Sequence, residues 1–245
     1  MPTSPPHGPA SDAPVVQTSG LCRRFGQRWA FARLDLEVNA GERFLVFGPN
    51  GCGKTTLLRT LATAIAPSAG QLRLFGLDPV VDRDEVRAGL AVLSHPLGLY
   101  EDLSGLDNLR ALARLVRRPT NVEGLLVDVG LDSRPEPVRT WSAGMRKRLQ
   151  LATLLLQRPR LVLLDEPFAA LDPSGMAQVA DLIRSIGSTL VMASHQLDRA
   201  AALCDRALLL DRGLPRWTGP AAQAPAAWAA MVAETASAAP MRVTA

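Results

Sequence analysis

The 245-residue chain has little of several residue types, and each shortage excludes a class of protein. It contains only three cysteines, Cys22, Cys52 and Cys204, which lie far apart and are never spaced as CxxC. This spacing argues against a zinc site or a disulfide framework and favours a reducing compartment. No apolar run approaches the length of a membrane-spanning helix, and the N-terminus lacks the basic-then-apolar order of a signal peptide. We therefore expect a soluble protein, which can still dock on a membrane protein.

Lysine is also scarce, because only two of the 27 lysine and arginine residues, Lys54 and Lys147, are lysines. The arginines lie singly or in pairs between apolar residues and form no basic stripe. With a net charge of only +4, this distribution argues against nucleic acid as a partner. In so lysine-poor a chain, the lysine at position 54 needs a specific explanation.

Lys54 lies in a segment that fits the P-loop pattern of Gly, four residues of any type, Gly, Lys and then Ser or Thr. The apolar run at 44–47 before it predicts a buried strand, and residues 57–61 after it predict a helix. Glycines let backbone N–H groups curl around an anion, and the start of a helix adds partial positive charge at the same point. The alternative, an ordinary glycine turn, is disfavoured by the scarcity of lysine.

The P-loop pattern predicts a site for nucleotide phosphates and Mg²⁺. Lys54 would reach the β- and γ-phosphates, while the Thr55 hydroxyl would hold Mg²⁺. The predicted nucleotide-binding residues of this segment are Gly48, Pro49, Asn50, Gly51, Cys52, Gly53, Lys54, Thr55 and Thr56.

The whole sequence predicts one α/β domain, at residues 15–220, between two tails. Residues 1–14 are rich in Pro, Ser and Ala, so we expect them to be disordered, and we expect the same of most of the Ala-rich tail at 221–245. Strand-like spacing before the P-loop predicts an antiparallel β layer at the start of the domain. From about 97 to 157, the spacing of apolar residues predicts a helical insertion that interrupts the α/β order.

Two acidic residues, Asp165 and Glu166, follow an all-apolar run that predicts a central parallel strand. The carboxyl end of such a strand points into a ligand crevice, so we predict that Asp165 binds Mg²⁺ and that Glu166 positions or deprotonates a water that attacks the γ-phosphate. The simpler interpretation of Glu166 is an acid that caps the strand end in solvent. Another predicted strand, at 189–193, leads to His195, which would lie near the terminal phosphate, although a lone histidine is usually structural.

Four further residues have both a structural and a functional interpretation. Ser142 and Gly144 begin a predicted helix. The free N–H groups and the Ser142 hydroxyl at this helix start could bind a second anion, in addition to the one at the P-loop. Asp172 precedes Pro173 as the predicted N-cap of another helix. Phe25, just before a turn, can stack on a purine ring, but an aromatic residue in a strand is more often part of a core.

The order of these motifs resembles that of the ATP-binding subunits of ABC transporters, over roughly residues 15–218. In that family a P-loop, Q-loop, signature, Walker B, D-loop and H-loop follow one another, and the combination is far more specific than any single motif. The resemblance implies an α/β fold of the ABC type of P-loop NTPase, with a RecA-like mixed-sheet core, an N-terminal antiparallel β layer and an inserted helical subdomain. It also implies ATP and Mg²⁺ as cofactors.

The resemblance gives roles to the residues around the predicted phosphate site. It makes Phe25 the aromatic residue that stacks on adenine and Asp165 a ligand of Mg²⁺. It makes Glu166 the catalytic base and His195 the switch histidine on the γ-phosphate.

The resemblance also implies partners. Ser142 and Gly144 would meet the γ-phosphate of ATP bound to the opposite subunit of a head-to-tail homodimer, and Asp172 would lie in the D-loop that crosses this interface. Integral membrane permease subunits would complete the transporter. We therefore expect a cytoplasmic protein that is peripheral on the inner face of the bacterial cell membrane.

Two departures from the family pattern affect these expectations. The signature usually reads Leu-Ser-Gly-Gly-Gln, but Trp141, Ala143 and Met145 replace three of its five residues here. His95 stands where the family has the Q-loop glutamine that senses Mg²⁺ and the attacking water. Either His95 fills that place with a different hydrogen-bond geometry, which would make coupling slower or pH-sensitive, or it is only a loop residue before Pro96.

The resemblance makes export the leading functional hypothesis. The Ser94-His95 pair, followed by residues 99–103, is similar to the ATPase subunit of the bacterial haem exporter of cytochrome c maturation. Export of a drug, lipid or polysaccharide is the alternative within the family. A non-transport ABC ATPase acting on nucleic acid or the ribosome is disfavoured by the single short cassette, and a P-loop kinase would not need the segment at 142–148.

Overall fold

The computed structural model describes residues 13–93, 98–117 and 120–237, which form two sheets and eight α-helices. The strands are β1 (Val16–Phe25), β2 (Arg28–Val38), β3 (Arg43–Phe47), β4 (Ala69–Leu74), β5 (Leu90–Leu93), β6 (Leu161–Asp165), β7 (Thr189–Ala193), β8 (Arg206–Asp211) and β9 (Leu214–Pro220). The helices are α1 (Lys54–Leu61), α2 (Arg83–Ala88), α3 (Gly105–Leu115), α4 (Val122–Asp128), α5 (Ala143–Gln157), α6 (Pro173–Ser185), α7 (Leu197–Ala201) and α8 (Ala224–Ser237). Short 3₁₀ turns lie at Val138–Thr140 and Ala221–Gln223.

The smaller sheet is antiparallel and has the strand order β2-β1-β4. Along β2, the buried residues Leu34, Leu36 and Val38 alternate with exposed ones. This alternation is expected when one face of an antiparallel sheet packs on a core and the other meets solvent. The antiparallel layer predicted at the start of the domain is therefore confirmed.

The larger sheet has six strands in the order β5-β6-β7-β3-β8-β9, and all neighbours are parallel except β8 and β9. Every residue of β7 is buried, as expected for a parallel strand that is covered on both faces. Because β3, β6 and β7 are adjacent and parallel, their C-terminal ends meet at one edge. The segments that follow these three strands begin at Gly48, Glu166 and Ser194.

Successive residues of β3 belong to different cores on the two faces of the larger sheet. Phe44 and Val46 pack with the smaller sheet and with Leu57 of α1. Leu45 and Phe47 pack with the apolar sides of α5 and α6. This two-sided burial holds the end of β3, and hence the start of the P-loop, between two packed layers.

The region at 97–157 contains α3, α4 and α5 and has a hydrophobic cluster of its own. Ser104 caps α3 by accepting a hydrogen bond from the Asp107 N–H at 3.1 Å. Trp141 is buried in this cluster, and its ring packs so closely on Gly105 that a Cβ there would lie 2.2 Å from the ring. The tryptophan that replaces the usual leucine of the signature therefore acts as a core residue of the helical region.

The expectation of disorder after residue 220 is wrong for residues 221–237. This segment forms a 3₁₀ turn and α8. Alanine has the highest intrinsic helix propensity, and α8 also has apolar side chains to bury. The Trp228 ring lies 6.5 Å from the Phe47 ring, between centroids. The remaining parts of the two predicted tails, at 1–12 and 238–245, lie outside the described residues.

Within the described ranges, the helices all fall short of the length and hydropathy that crossing a membrane requires.

Candidate nucleotide-binding site

The P-loop connects β3 to α1, and its glycines are required by close backbone contacts. A Cβ on Gly48 would lie 1.9 Å from the Leu210 carbonyl oxygen, and one on Gly53 would lie 2.2 Å from the Ala30 carbonyl oxygen. Both glycines also have positive φ, 147° and 114°. The first N–H groups of α1 follow directly, so they are available to an anion that rests on the loop.

Lys54 is almost fully buried and folds back over the loop. Its ammonium donates hydrogen bonds to the carbonyl oxygens of Gly48 at 2.8 Å and Pro49 at 3.1 Å. These charge-assisted bonds fix the shape of the loop and hold a positive charge beside its N–H groups. The loop is therefore organised for an anion by its own residues.

The Mg²⁺ ligands expected from the sequence lie next to each other. The Thr55 hydroxyl donates a hydrogen bond to Asp165 Oδ1 at 3.1 Å. Burial raises the pKa of Asp165 above its usual value, and the hydrogen bond from Thr55 opposes this shift. A hydroxyl and a carboxylate are hard oxygen donors, which suit Mg²⁺ bound jointly by a protein and by substrate phosphates. The residues present therefore fit the ion.

Glu166 and His195 form the second pair at this edge. The register of β6 and β7 pairs Asp165 with Ala193, so the residues just beyond the two strands are neighbours. Glu166 Oε2 lies 2.7 Å from His195 Nδ1 and accepts a hydrogen bond from the His195 backbone N–H at 3.2 Å. Glu166 has a positive φ of 50°, an uncommon conformation for a residue with a side chain. Strained backbone of this kind is frequent at functional sites.

A cavity of about 580 Å³ joins the P-loop to Glu166 and to the hairpin turn between β1 and β2. Phe25 lines the cavity and is 50% exposed, as an aromatic residue must be to stack on a ligand. Arg28 and Trp29 also line the cavity, although neither was predicted from the sequence as a site residue. The turn predicted just after Phe25 was the available signal, because residues that face each other across a tight hairpin share one site, as Phe25 and Arg28 do here.

Ser142, Gly144 and Asp172 form a separate group. The Ser142 hydroxyl accepts a hydrogen bond from the Met145 N–H at 3.2 Å and caps α5. Asp172 Oδ1 accepts one from the Gly175 N–H at 3.2 Å and caps α6. A Cβ on Gly144 would lie 3.8 Å from the Leu171 side chain, so the two helix starts are close together. The structure therefore places Thr55 beside Asp165 and Glu166 beside His195, and it groups Ser142, Gly144 and Asp172 at two neighbouring helix starts. The predicted role of His95 concerns a residue outside the described ranges.

A P-loop beside a strand that ends in Asp-Glu, in a mostly parallel sheet, defines the class of P-loop nucleoside triphosphate-binding proteins. The comparisons with known proteins identify the family. The family model described as "ABC transporter" matches residues 31–169, more than half of the chain. The chain belongs to the ABC transporter family, and the fold predicted from the sequence is confirmed.

Two curated relatives represent this family. The daunorubicin/doxorubicin resistance ATP-binding protein DrrA of Streptomyces peucetius is 37% identical over 208 residues, covering 81% of this chain and 63% of the relative. The cytochrome c biogenesis ATP-binding export protein CcmA 1 of Cupriavidus metallidurans is 40% identical over 190 residues, covering 75% of this chain and 92% of the relative. The chain thus spans less than two thirds of the length of the first relative.

One solved structure with the same fold is a dimer of an ATP-binding cassette in a post-hydrolysis state, bound to ADP and phosphate. It superposes with a TM-score of 0.74 at 21% identity, covering 84% of this chain and 98% of that chain. At this level of identity the match shows the fold alone.

Proposed function

We propose that the chain hydrolyses Mg-ATP and that hydrolysis drives export through separate membrane subunits. The observation that carries this proposal is the convergence of Lys54, Thr55, Asp165 and Glu166 at one edge of the sheet, with Phe25 across the same cavity. In this arrangement Phe25 stacks on the adenine, while the P-loop N–H groups and Lys54 hold the phosphates.

The residues beyond the P-loop supply the chemistry of hydrolysis. Thr55 and Asp165 would hold Mg²⁺, and the ion would supply positive charge to the phosphates of bound ATP. Glu166 orients the attacking water and accepts its proton, and His195 holds the Glu166 carboxylate through the 2.7 Å contact. His195 is half exposed, and we propose that its ring also meets the γ-phosphate of bound ATP.

The second group of site residues supports a head-to-tail homodimer. Ser142 and the start of α5 offer helix-start N–H groups to an anion, and none of the residues that line the P-loop cavity comes from this helix start. Two copies that pair head to tail would let Ser142 and Gly144 of one copy complete the site on the other, with Asp172 at the interface. The dimer of the solved cassette supports this arrangement by analogy of fold.

Substitution of Glu166 by Gln tests the function. We expect the variant to bind ATP with unchanged affinity, to accumulate as a dimer in size-exclusion chromatography with ATP, and to lose at least about 100-fold in kcat. The matched control is Glu136→Gln, which changes an exposed glutamate in the helical region. Normal hydrolysis by the Glu166→Gln variant would remove Glu166 from its proposed role.

For the cargo we propose haem, exported in cytochrome c maturation, with the chain docked on permease subunits at the inner face of the bacterial cell membrane. The 40% identity to CcmA 1 over most of that protein's length supports this choice. Export of a drug is the second candidate, because DrrA is 37% identical. Co-purification from membranes separates the two: haem-pathway membrane proteins support the first, and a drug-type permease supports the second.

A further inference from the structure

The second of the two lysines, Lys147, has an unusual environment. It lies in the second turn of α5, and only 2% of its surface is exposed. Its ammonium nitrogen has no hydrogen-bond partner among the residues that the structure describes. Burying an ammonium without hydrogen bonds is costly, because the charge loses its hydration and gains no donor–acceptor contact in return. Packing alone is therefore a poor reason for a lysine at this position.

The packing of α5 directs Lys147 toward the acid pair. Leu151 and Leu154 of α5 share a core cluster with Leu164 of β6. Lys147 precedes Leu151 by four residues, so it lies on the same face of the helix, one turn nearer its start. Only a short loop joins α5 to β6, so the two run in opposite directions, and the start of α5 lies beside the end of β6. That end of β6 carries Asp165 and Glu166.

The electrostatics of Lys147 agree with this placement. Burial lowers the pKa of Lys147 to about 8, and the negative charges of Asp165 and Glu166 act in the opposite direction. Both carboxylates therefore attract the ammonium electrostatically, although it is hydrogen-bonded to neither. A cation on the helical region thus lies within electrostatic range of the two acids at the end of β6.

We propose that Lys147 is a positioning residue for ATP hydrolysis, whose ammonium attracts the Asp165 and Glu166 carboxylates and couples their orientation to that of the helical region. This inference rests on the proposed role of Glu166 in hydrolysis. Lys147 contacts neither phosphate nor water in this role. It acts through the carboxylates, so its removal should affect turnover and leave nucleotide binding nearly unchanged.

The test replaces Lys147 by Met, which keeps a long unbranched side chain and removes the charge. We expect kcat of the full chain to fall about tenfold while KM for ATP changes less than about twofold. The melting temperature should stay equal or rise, because an unpaired buried charge is replaced by an apolar group. Lys147→Arg, which keeps the charge, should retain most of the wild-type kcat. A purely structural role predicts the opposite pattern, with a lower melting temperature and no rescue by Arg.

Two comparisons make the outcome specific. Arg114→Met removes a positive charge from an exposed position of α3 and should change neither kcat nor KM. An unchanged kcat in Lys147→Met, or a loss in Lys147→Arg equal to that in Lys147→Met, would overturn the proposal. That failure is distinct from failure of the proposed function, which would appear as normal hydrolysis by Glu166→Gln.

Discussion

The two lysines of this chain lie in regions that satisfy their charges in different ways. Lys54 is buried, but the carbonyl oxygens of Gly48 and Pro49 accept its hydrogen bonds within the same loop. Lys147 is more deeply buried and has no such acceptor in the part of the chain that the structure describes. The P-loop is therefore organised by its own residues, whereas the start of α5 depends on charges from another element. This difference predicts that damage to the first region affects ATP binding and damage to the second affects turnover.

The most direct test of this difference compares the single variants Lys54→Met and Lys147→Met. We expect Lys54→Met to lose about 1,000-fold in kcat/KM, because a charge at the β- and γ-phosphates disappears from both the bound state and the transition state. It should also lower the free energy of unfolding by about 2 kcal/mol, since two hydrogen bonds from a charged donor are lost. ATP titration and chemical denaturation measure the two effects. Equal ATP affinity in Lys54→Met and wild type would contradict the expectation that damage to the P-loop affects ATP binding.

The next largest effect concerns the backbone of the P-loop. Gly48→Ala should destabilise the fold by about 3 kcal/mol, because its Cβ would lie 1.9 Å from the Leu210 carbonyl oxygen and neither backbone can move without disturbing β3 or β8. Guanidinium denaturation followed by circular dichroism measures the change. Gly187→Ala is the matched control, since a Cβ there meets no described atom within 4 Å. Similar stabilities for the two variants would show that the loop is less rigidly held than these contacts require.

The smallest effect is expected at Phe25, which lines the cavity where we propose that the adenine binds. Phe25→Ala should raise the Kd for ATP about tenfold, because stacking of one base on an aromatic ring contributes about 1–3 kcal/mol. The kcat at saturating ATP should not change, since stacking on the adenine takes no part in the chemistry at the γ-phosphate. Fluorescent-ATP displacement measures the affinity, and Tyr100→Ala, which removes another exposed aromatic ring, is the control. If Tyr100→Ala weakens binding as much as Phe25→Ala, stacking at the hairpin is the wrong explanation.

Local patterns were sufficient to predict much of the fold and the phosphate site. The P-loop carries its own geometry within nine residues, so its glycines and Lys54 can be found without knowledge of the fold. Asp165 and Glu166 were found because a fully apolar run ending in acids is typical of a central parallel strand. The contact between Glu166 and His195 follows from the pairing of β6 with β7. The sequence indicates this pairing only through two apolar runs that each end in polar residues.

The features that escaped prediction depend on contacts distant in sequence. Composition at 221–237 suggested disorder, but α8 gains its stability from Trp228 and Met231, which pack on the larger sheet. Arg28 and Trp29 enter the cavity through the fold of the hairpin, and no motif marks them. The missing partner of Lys147 is a property of tertiary packing, so the sequence could show only that a lysine was rare.

The aromatic contacts of Phe47 have an optical consequence. Phe47 immediately precedes Gly48, and its ring contacts Trp217 at 6.1 Å and Trp228 at 6.5 Å between centroids. A displacement of the loop on nucleotide binding would change the surroundings of both indoles. The emission spectrum of the unlabelled protein, to which Trp29 in the cavity also contributes, would thus respond to events at the phosphate site through Trp217 of β9 and Trp228 of α8.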